Sequence, residues 1–149
     1  MCSADNQVVI VGGGIAGVVL GLTLQKFRIP FKIIERYPEG GADGGADLAL
    51  WPSASAVLRD LGLVDETWWE DETYRVRDSY ITAQGSGANT PDAVLTKLNM
   101  DNVVGVGSTG FRLVERKKLL GQLRRLLPAG CTSYVACPRS SFIFTRWPS

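Results

Sequence analysis

The segment QVVIVGGGIAGVVLGLTLQKFRIPFKIIER, residues 7–36, contains three stretches with different periodicities. Gln7 to Val11 is apolar and β-branched, which is typical of a strand buried on both faces of a parallel sheet. Ile15 to Phe27 has apolar residues around the whole helical axis, which predicts a mostly buried helix. Phe31 to Ile34 is a second apolar strand. Strand, helix and strand within about 30 residues predict a βαβ unit.

The glycines between the first strand and the helix form a GxGxxG pattern within GGGIAG, residues 12–17. Gly12 would allow a sharp turn, Gly14 would leave the backbone open to a pyrophosphate, and Gly17 would let the helix pack closely on the strand. The helix N-terminus, with its unpaired N–H groups, would then face the phosphates. The sequence therefore predicts a dinucleotide-binding site that includes Gly12, Gly14 and Gly17.

Glu35 ends the second strand, about 20 residues past the glycines, where this type of site has its ribose-binding acid. A carboxylate here can accept hydrogen bonds from both ribose hydroxyls, and it would repel a 2′-phosphate. We therefore expect FAD or NAD at this site rather than NADP. The alternative is a βαβ unit whose glycines form a tight turn and bind nothing.

The same region could be mistaken for a membrane helix, because Asn6 to Gln25 is uncharged and about 20 residues long. Three consecutive glycines would each cost such a helix roughly 1 kcal/mol relative to alanine. The chain also opens with MCSADNQ, which lacks the basic start of a signal peptide. We therefore expect neither a membrane span nor a leader.

Composition excludes several classes of protein. The 149 residues carry 16 Lys+Arg and 15 Asp+Glu, a net charge of +1, so no nucleic-acid partner is expected. Histidine is absent, so any catalysis must proceed without imidazole. The three cysteines, Cys2, Cys131 and Cys137, are odd in number and lack metal-ligand spacing. No metal site is expected, and a cytoplasmic location is favoured.

Residues 8–36 resemble the opening of the FAD-dependent monooxygenases of the aromatic hydroxylase type, the salicylate and p-hydroxybenzoate hydroxylase-like family. GADLALWPSASAVLRDLGLVDE, residues 45–66, and VERKKLLGQLRRLLPAG, residues 114–130, resemble later segments of that family. The resemblance implies an α/β, Rossmann-like FAD-binding domain with a parallel sheet. It also implies that Arg36, after the ribose-binding acid, and Arg116 contact the cofactor. By itself, the basic run around Arg116 is typical of a solvated helix face.

The resemblance further implies an enzyme in which NAD(P)H reduces FAD and O₂ hydroxylates an aromatic or similar hydrophobic small molecule. Two later family signatures, an Asp-Gly segment in mid-chain and a Gly-Asp segment, are missing. We therefore expect residues 7–130 to be a partial FAD/NAD(P)-binding domain, truncated before the substrate domain and the C-terminal motifs and inactive alone. Residues 131–149 are expected to be a divergent tail of foreign origin. No catalytic residue is assigned.

Two alternatives remain from the residues themselves. An NAD-dependent dehydrogenase could use the same glycine pattern, although the chain lacks histidine and a Tyr-x-x-x-Lys pair. The other alternative is a non-catalytic fragment that binds a nucleotide. The substrate and the oligomeric state are left open by the sequence.

Three further segments carry structural predictions. Asp65 to Glu72, DETWWEDE, is expected to be an exposed loop with its two tryptophans against the domain. Tyr74 to Tyr80 alternates as one strand. The helix after Arg116 is expected to bury a leucine stripe, formed by Leu119, Leu120, Leu123, Leu126 and Leu127.

Overall fold

The computed structural model describes residues 7–37, 47–83, 92–105 and 110–134. The elements in chain order are β1 (Val8–Val11), α1 (Ile15–Lys26), β2 (Phe31–Glu35), β3 (Leu48–Leu50), α2 (Pro52–Asp60), α3 (Glu66–Glu72), β4 (Thr73–Val76), β5 (Asp78–Ala83), β6 (Ala93–Asn99), α4 (Met100–Val104), β7 (Phe111–Val114), α5 (Arg116–Arg125) and β8 (Thr132–Tyr134). The chain forms two compact units: the described parts of the first are residues 7–37 and 123–134, and the second contains those between them.

The first unit is built on a parallel sheet with the strand order β1–β2–β8. Ile10 pairs with Ile33 across β1 and β2, and Ile34 pairs with Ser133 across β2 and β8. The α/β class and the parallel βαβ unit predicted from the sequence are therefore confirmed, with element ends within one residue of the predicted ones. Strand β8 lies just past the predicted domain boundary at residue 130, and residues 135–149 lie outside the described part of the chain.

Helix α1 packs on β2 through one face only. Val18 and Leu22 are buried against the sheet, and a Cβ at Gly21 would lie 2.8 Å from the Phe31 ring, so glycine sets the close approach of helix and strand. Leu20, on the other side, is 46% exposed. The prediction of a mostly buried helix is wrong on that side, because the described residues do not cover it.

Strand β1 is also more exposed than its sequence predicted. It pairs with β2 along one edge only, within the part of the chain that the structure describes. Val9 is 55% exposed and Val11 is 79% exposed, whereas Ile10 is buried. Burial on both faces, the arrangement that its composition predicts, would need further elements beside this strand.

The second unit contains an antiparallel sheet, β3–β7–β4, and a two-stranded antiparallel ribbon, β5–β6. The loop predicted for Asp65 to Glu72 is wrong, because α3 begins after Asp65, whose side chain accepts a hydrogen bond from the Trp68 N–H at 2.8 Å. Trp69 is buried, as expected for one of the two rings. The strand predicted over Tyr74 to Tyr80 is interrupted at Arg77, and its halves join different sheets.

Helix α5 confirms the first part of its predicted leucine stripe, since Leu119, Leu120 and Leu123 are fully buried. Leu126 lies past the last helical residue and is 39% exposed, so the stripe ends with the helix.

The second unit contains a buried arginine. Arg112 on β7 donates hydrogen bonds to the Thr73 hydroxyl at 2.6 Å and to the Glu70 carboxylate at 2.6 Å, and its guanidinium lies 5.4 Å from the Trp69 ring centre. These contacts connect α3, β4 and β7. They also provide the buried positive charge of Arg112 with hydrogen-bond acceptors and an opposite charge, which a buried charge requires.

None of the helices within the described ranges is both long enough and apolar enough to cross a membrane.

Candidate dinucleotide-binding site

The glycine turn after β1 depends on two glycines for steric reasons. Gly12 has a φ of +107°, in the left-handed region that favours glycine, and its N–H donates to the Ile34 carbonyl at 2.8 Å. A Cβ at Gly17 would lie 1.9 Å from the Gly12 carbonyl oxygen, a distance that no side chain can adopt. The chain therefore turns sharply out of the sheet and α1 packs directly against the turn.

Helix α1 begins at this turn with an open N-terminus. Gly14 is its N-cap residue, with no side-chain cap and no acidic residue in the first helical turn. Apart from the neighbours of Gly14 in the chain, a Cβ at this position would have no atom of the described residues within 4 Å. The first N–H groups of a helix lack intrahelical partners and carry the positive end of the helix dipole. This end of α1 can therefore bind an anionic group brought close to the backbone.

Glu35 fastens the end of β2 to the glycine turn. Its carboxylate accepts a hydrogen bond from the Gly13 N–H at 2.6 Å through Oε2 and one from the Tyr37 N–H at 2.9 Å through Oε1. An ionised carboxylate has about four lone-pair positions, so these two bonds leave capacity for hydroxyl donors. Glu35 is thus held beside the helix N-terminus as a preorganised acceptor.

The protonation state of Glu35 follows from the same contacts. Burial alone would raise the pKa of its carboxyl group, but the backbone N–H groups of Tyr37, Gly13 and Arg36 and the charge of Arg124 lower it by more. The net pKa lies below the ordinary value for glutamate. The side chain is therefore an anion at neutral pH and accepts hydrogen bonds without donating any.

Arg124, near the end of α5, is a residue of this site that the sequence reasoning missed. Its Nη2 donates to the Gly13 carbonyl oxygen at 3.3 Å, a contact between residues 111 positions apart. With Gly13 and Glu35 it lines a cavity of about 270 Å³ beside α1. Its place in a basic run suggested a solvated face, and no local pattern distinguishes it from Arg125.

The two arginines assigned by resemblance lie in different places. Arg36 directly follows Glu35, is exposed, and places its guanidinium 4.6 Å from the Tyr37 ring centre. Arg116 is the first residue of α5 and belongs to the second unit, where it is partly buried. Gly12, Gly14, Gly17 and Glu35 are brought together in the first unit, whereas contacts of Arg36 and Arg116 with a cofactor stay predictions.

Within the described ranges, no three His, Cys, Asp or Glu side chains form a group that could hold a metal ion. The polar groups that line the cavity at this site include the Gly13 backbone, the Glu35 carboxylate, the Arg124 guanidinium and the Thr132 side chain.

Comparison with known proteins gives the relationship of the chain. No protein-family model matches it. A FAD-dependent monooxygenase of Talaromyces verruculosus, cdmI, is 42% identical over 68 residues, which cover 43% of this chain and 14% of that protein. The FAD-dependent monooxygenase nvfK of Aspergillus novofumigatus is 39% identical over 66 residues, covering 44% and 14%. Over these segments the chain is similar to FAD-dependent monooxygenases, and it matches only about one seventh of their length.

Solved structures show the same fold over most of the chain. Klebsiella pneumoniae HpxO, in complex with FAD and uric acid, superposes with a TM-score of 0.63 at 17% identity and covers 88% of this chain and 31% of HpxO. Pseudomonas aeruginosa pqsL, a probable FAD-dependent monooxygenase, gives a TM-score of 0.63 at 18% identity, covering 87% and 32%. The chain therefore has the α/β fold of about one third of each of these two structures.

Proposed function

We propose that this chain binds the ADP half of FAD and forms the dinucleotide-binding part of a flavin-dependent monooxygenase. The observation that carries the proposal is the 2.6 Å hydrogen bond between the Gly13 N–H and Glu35. This bond holds Glu35, the acid proposed to bind the ribose, beside the glycine turn proposed to bind the phosphates. A dinucleotide-binding site of this type needs both features close together.

The residues fit the charges of the cofactor. The pyrophosphate would lie at the uncapped N-terminus of α1, where Gly14 leaves open space and the helix dipole favours an anion. The adenosine ribose would donate its hydroxyl groups to the ionised Glu35. We propose that Arg36 adds positive charge near the phosphates, since a guanidinium is the usual partner of a phosphate. The contact of Arg116 with the cofactor stays a prediction from the resemblance.

Bound FAD would supply the redox chemistry: two electrons from NAD(P)H reduce O₂, one of whose oxygen atoms enters the substrate while the other leaves as water. The contribution of the described residues is to hold the adenosine end in place. HpxO in complex with uric acid and the monooxygenase PieE in complex with its substrate support a small-molecule substrate. We propose an aromatic or similarly hydrophobic molecule, and we expect the 149-residue chain alone to turn over little of it.

A Gly14→Val variant tests the site directly. Gly14 has extended backbone angles, φ −74° and ψ −179°, and open space around its Cβ position, so the chain itself can accept a β-branched side chain there. That side chain would occupy the position of the pyrophosphate. We expect FAD binding, measured by isothermal titration calorimetry, to fall by at least about 100-fold, which corresponds to roughly 2.7 kcal/mol.

Gly121→Ala on α5 is the matched control, because a Cβ there also has no atom within 4 Å and the position lies outside the proposed site. It should bind FAD as the unaltered chain does. Circular dichroism should show that both variants are folded. Unchanged affinity in Gly14→Val, or tighter binding of NAD than of FAD by the unaltered chain, would contradict the proposal.

A further inference from the structure

We propose that Arg124 is a positioning residue of this site, which holds the Gly13 carbonyl and the Glu35 carboxylate in the arrangement that receives the adenosine. This inference rests on the proposed function and assigns a role to a residue that the glycine fingerprint does not include. Arg124 acts through Gly13 and Glu35 and does not itself bind the nucleotide.

The first argument is the conformational freedom of the turn. Gly12, Gly13 and Gly14 are consecutive, and glycine loses more backbone freedom on ordering than any other residue. Gly13 is held on both of its polar groups: its N–H donates to Glu35 at 2.6 Å and its carbonyl accepts from Arg124 at 3.3 Å. A turn fixed in this way before the ligand arrives loses less entropy on binding.

The second argument concerns the next peptide group. The carbonyl of Gly13 and the N–H of Gly14 belong to one planar trans peptide and point in opposite directions. The hydrogen bond from Arg124 therefore also fixes the direction of the Gly14 N–H. Gly14 is the N-cap residue of α1, at the point where a phosphate would approach.

The third argument is charge. Glu35 is an anion beside the proposed position of a dianionic pyrophosphate, an unfavourable arrangement unless a cation compensates. Arg124 supplies that compensation, since its charge acts on Glu35 and both side chains line the same cavity. Arg125, the next residue, is exposed, whereas Arg124 is partly buried and donates to the Gly13 carbonyl.

The first experiment needs no ligand. Arg124→Met keeps much of the side-chain length and removes the charge and the donors, and Arg125→Met is the matched control on the same helix. Side-chain carbon NMR of the full 149-residue chain would follow the titration of Glu35, and hydrogen exchange would follow the Gly13 amide, which donates to Glu35. In Arg124→Met we expect a higher Glu35 pKa and roughly tenfold faster Gly13 exchange. Arg125→Met should leave both unchanged, and equal effects in the two variants would overturn the proposal.

The second experiment is a double-mutant cycle on FAD affinity with Arg124→Met and Glu35→Gln. If Arg124 acts through Glu35, each single variant weakens binding about three- to tenfold and the double variant is little worse than either. Arg124→Lys should recover part of the loss, because it keeps the charge. Losses that simply multiply would show that Arg124 acts independently of Glu35 and would overturn the proposal. If the unaltered chain binds no FAD although Glu35 and Gly13 respond as expected, the proposed function fails and the positioning role stands.

Discussion

At the scale of single residues, Glu35 gives the site a defined pH dependence. Burial raises the pKa of its carboxyl group, but the Tyr37 and Gly13 amides lower it by more. The folded state therefore favours the anion, and this contribution to stability is present above the ordinary pKa and is lost as the pH falls through the lowered one. We expect Glu35→Gln to reduce the free energy of unfolding by about 1 kcal/mol at pH 7. In urea unfolding, the difference should be smaller at pH 3 than at pH 7, because the anion is lost as the pH falls through the lowered pKa.

Asp71→Asn is a suitable control for that measurement. Asp71 is an exposed acid on α3 in the second unit, and the same urea titrations should show no comparable difference at either pH. If Glu35→Gln were equally destabilising at pH 3 and pH 7, the effect would come from packing and not from the ionised carboxylate.

The buried Arg112 gives a second prediction for a single residue. Replacing it with alanine would remove the donor to the buried Thr73 hydroxyl and one of the two donors to the Trp69 carbonyl, which keeps its hydrogen bond from Thr73. Glu70 is 58% exposed and would be solvated by water, so the cost is that of a buried polar group without its partner, about 1–3 kcal/mol. The exposed pair of Arg59 and Glu66 gives the comparison, since Arg59→Ala should cost less than about 1 kcal/mol. Chemical denaturation of both variants measures the difference, and similar losses would contradict it.

At the scale of elements, the packing of α1 on the glycine turn allows no side chain at Gly17. We expect Gly17→Ala to destabilise the chain by about 3 kcal/mol or more, because its Cβ would overlap the Gly12 carbonyl and force the helix away from the strand. Gly121→Ala in α5 should instead add roughly 0.5–1 kcal/mol of stability, as alanine favours a helix. Thermal unfolding followed by circular dichroism compares the two. If the Gly17→Ala variant were as stable as the Gly121→Ala variant, α1 would be able to move away from the glycine turn without a cost in free energy.

Elements with a clear period were predictable from sequence, whereas contacts between distant residues were not. Alternation and glycine placement located β1, α1 and β2, because each signal lies within a few residues. Helix α3 was missed although Asp65 is a good N-cap residue, because the acids and tryptophans of this helix do not form an apolar stripe with helical spacing. Arg124 was missed for a different reason: its bond to Gly13 is created only by the fold.

At the scale of the molecule, the exposed valines of β1 show that the described residues leave part of the parallel sheet uncovered. A parallel sheet is normally covered on both faces and extended on both sides of its central strands, but Val9 and Val11 are more than half exposed. The matched relatives are about seven times longer than the segment they share with this chain. Among the described residues, the first unit therefore has only a small core, which includes Ile33 and Val18.

A small core makes ligand binding a large part of the total stability, and this gives the last prediction. A ligand present at 100 times its dissociation constant stabilises the state that binds it by about 2.7 kcal/mol. For a chain of this size, FAD at that excess should raise the melting temperature by roughly 5–10 °C. Hydrogen exchange should slow in β1 and β2, which carry the proposed site. Gly14→Val should remove the shift while retaining the ligand-free melting temperature, and an equal shift in that variant would place FAD elsewhere on the chain.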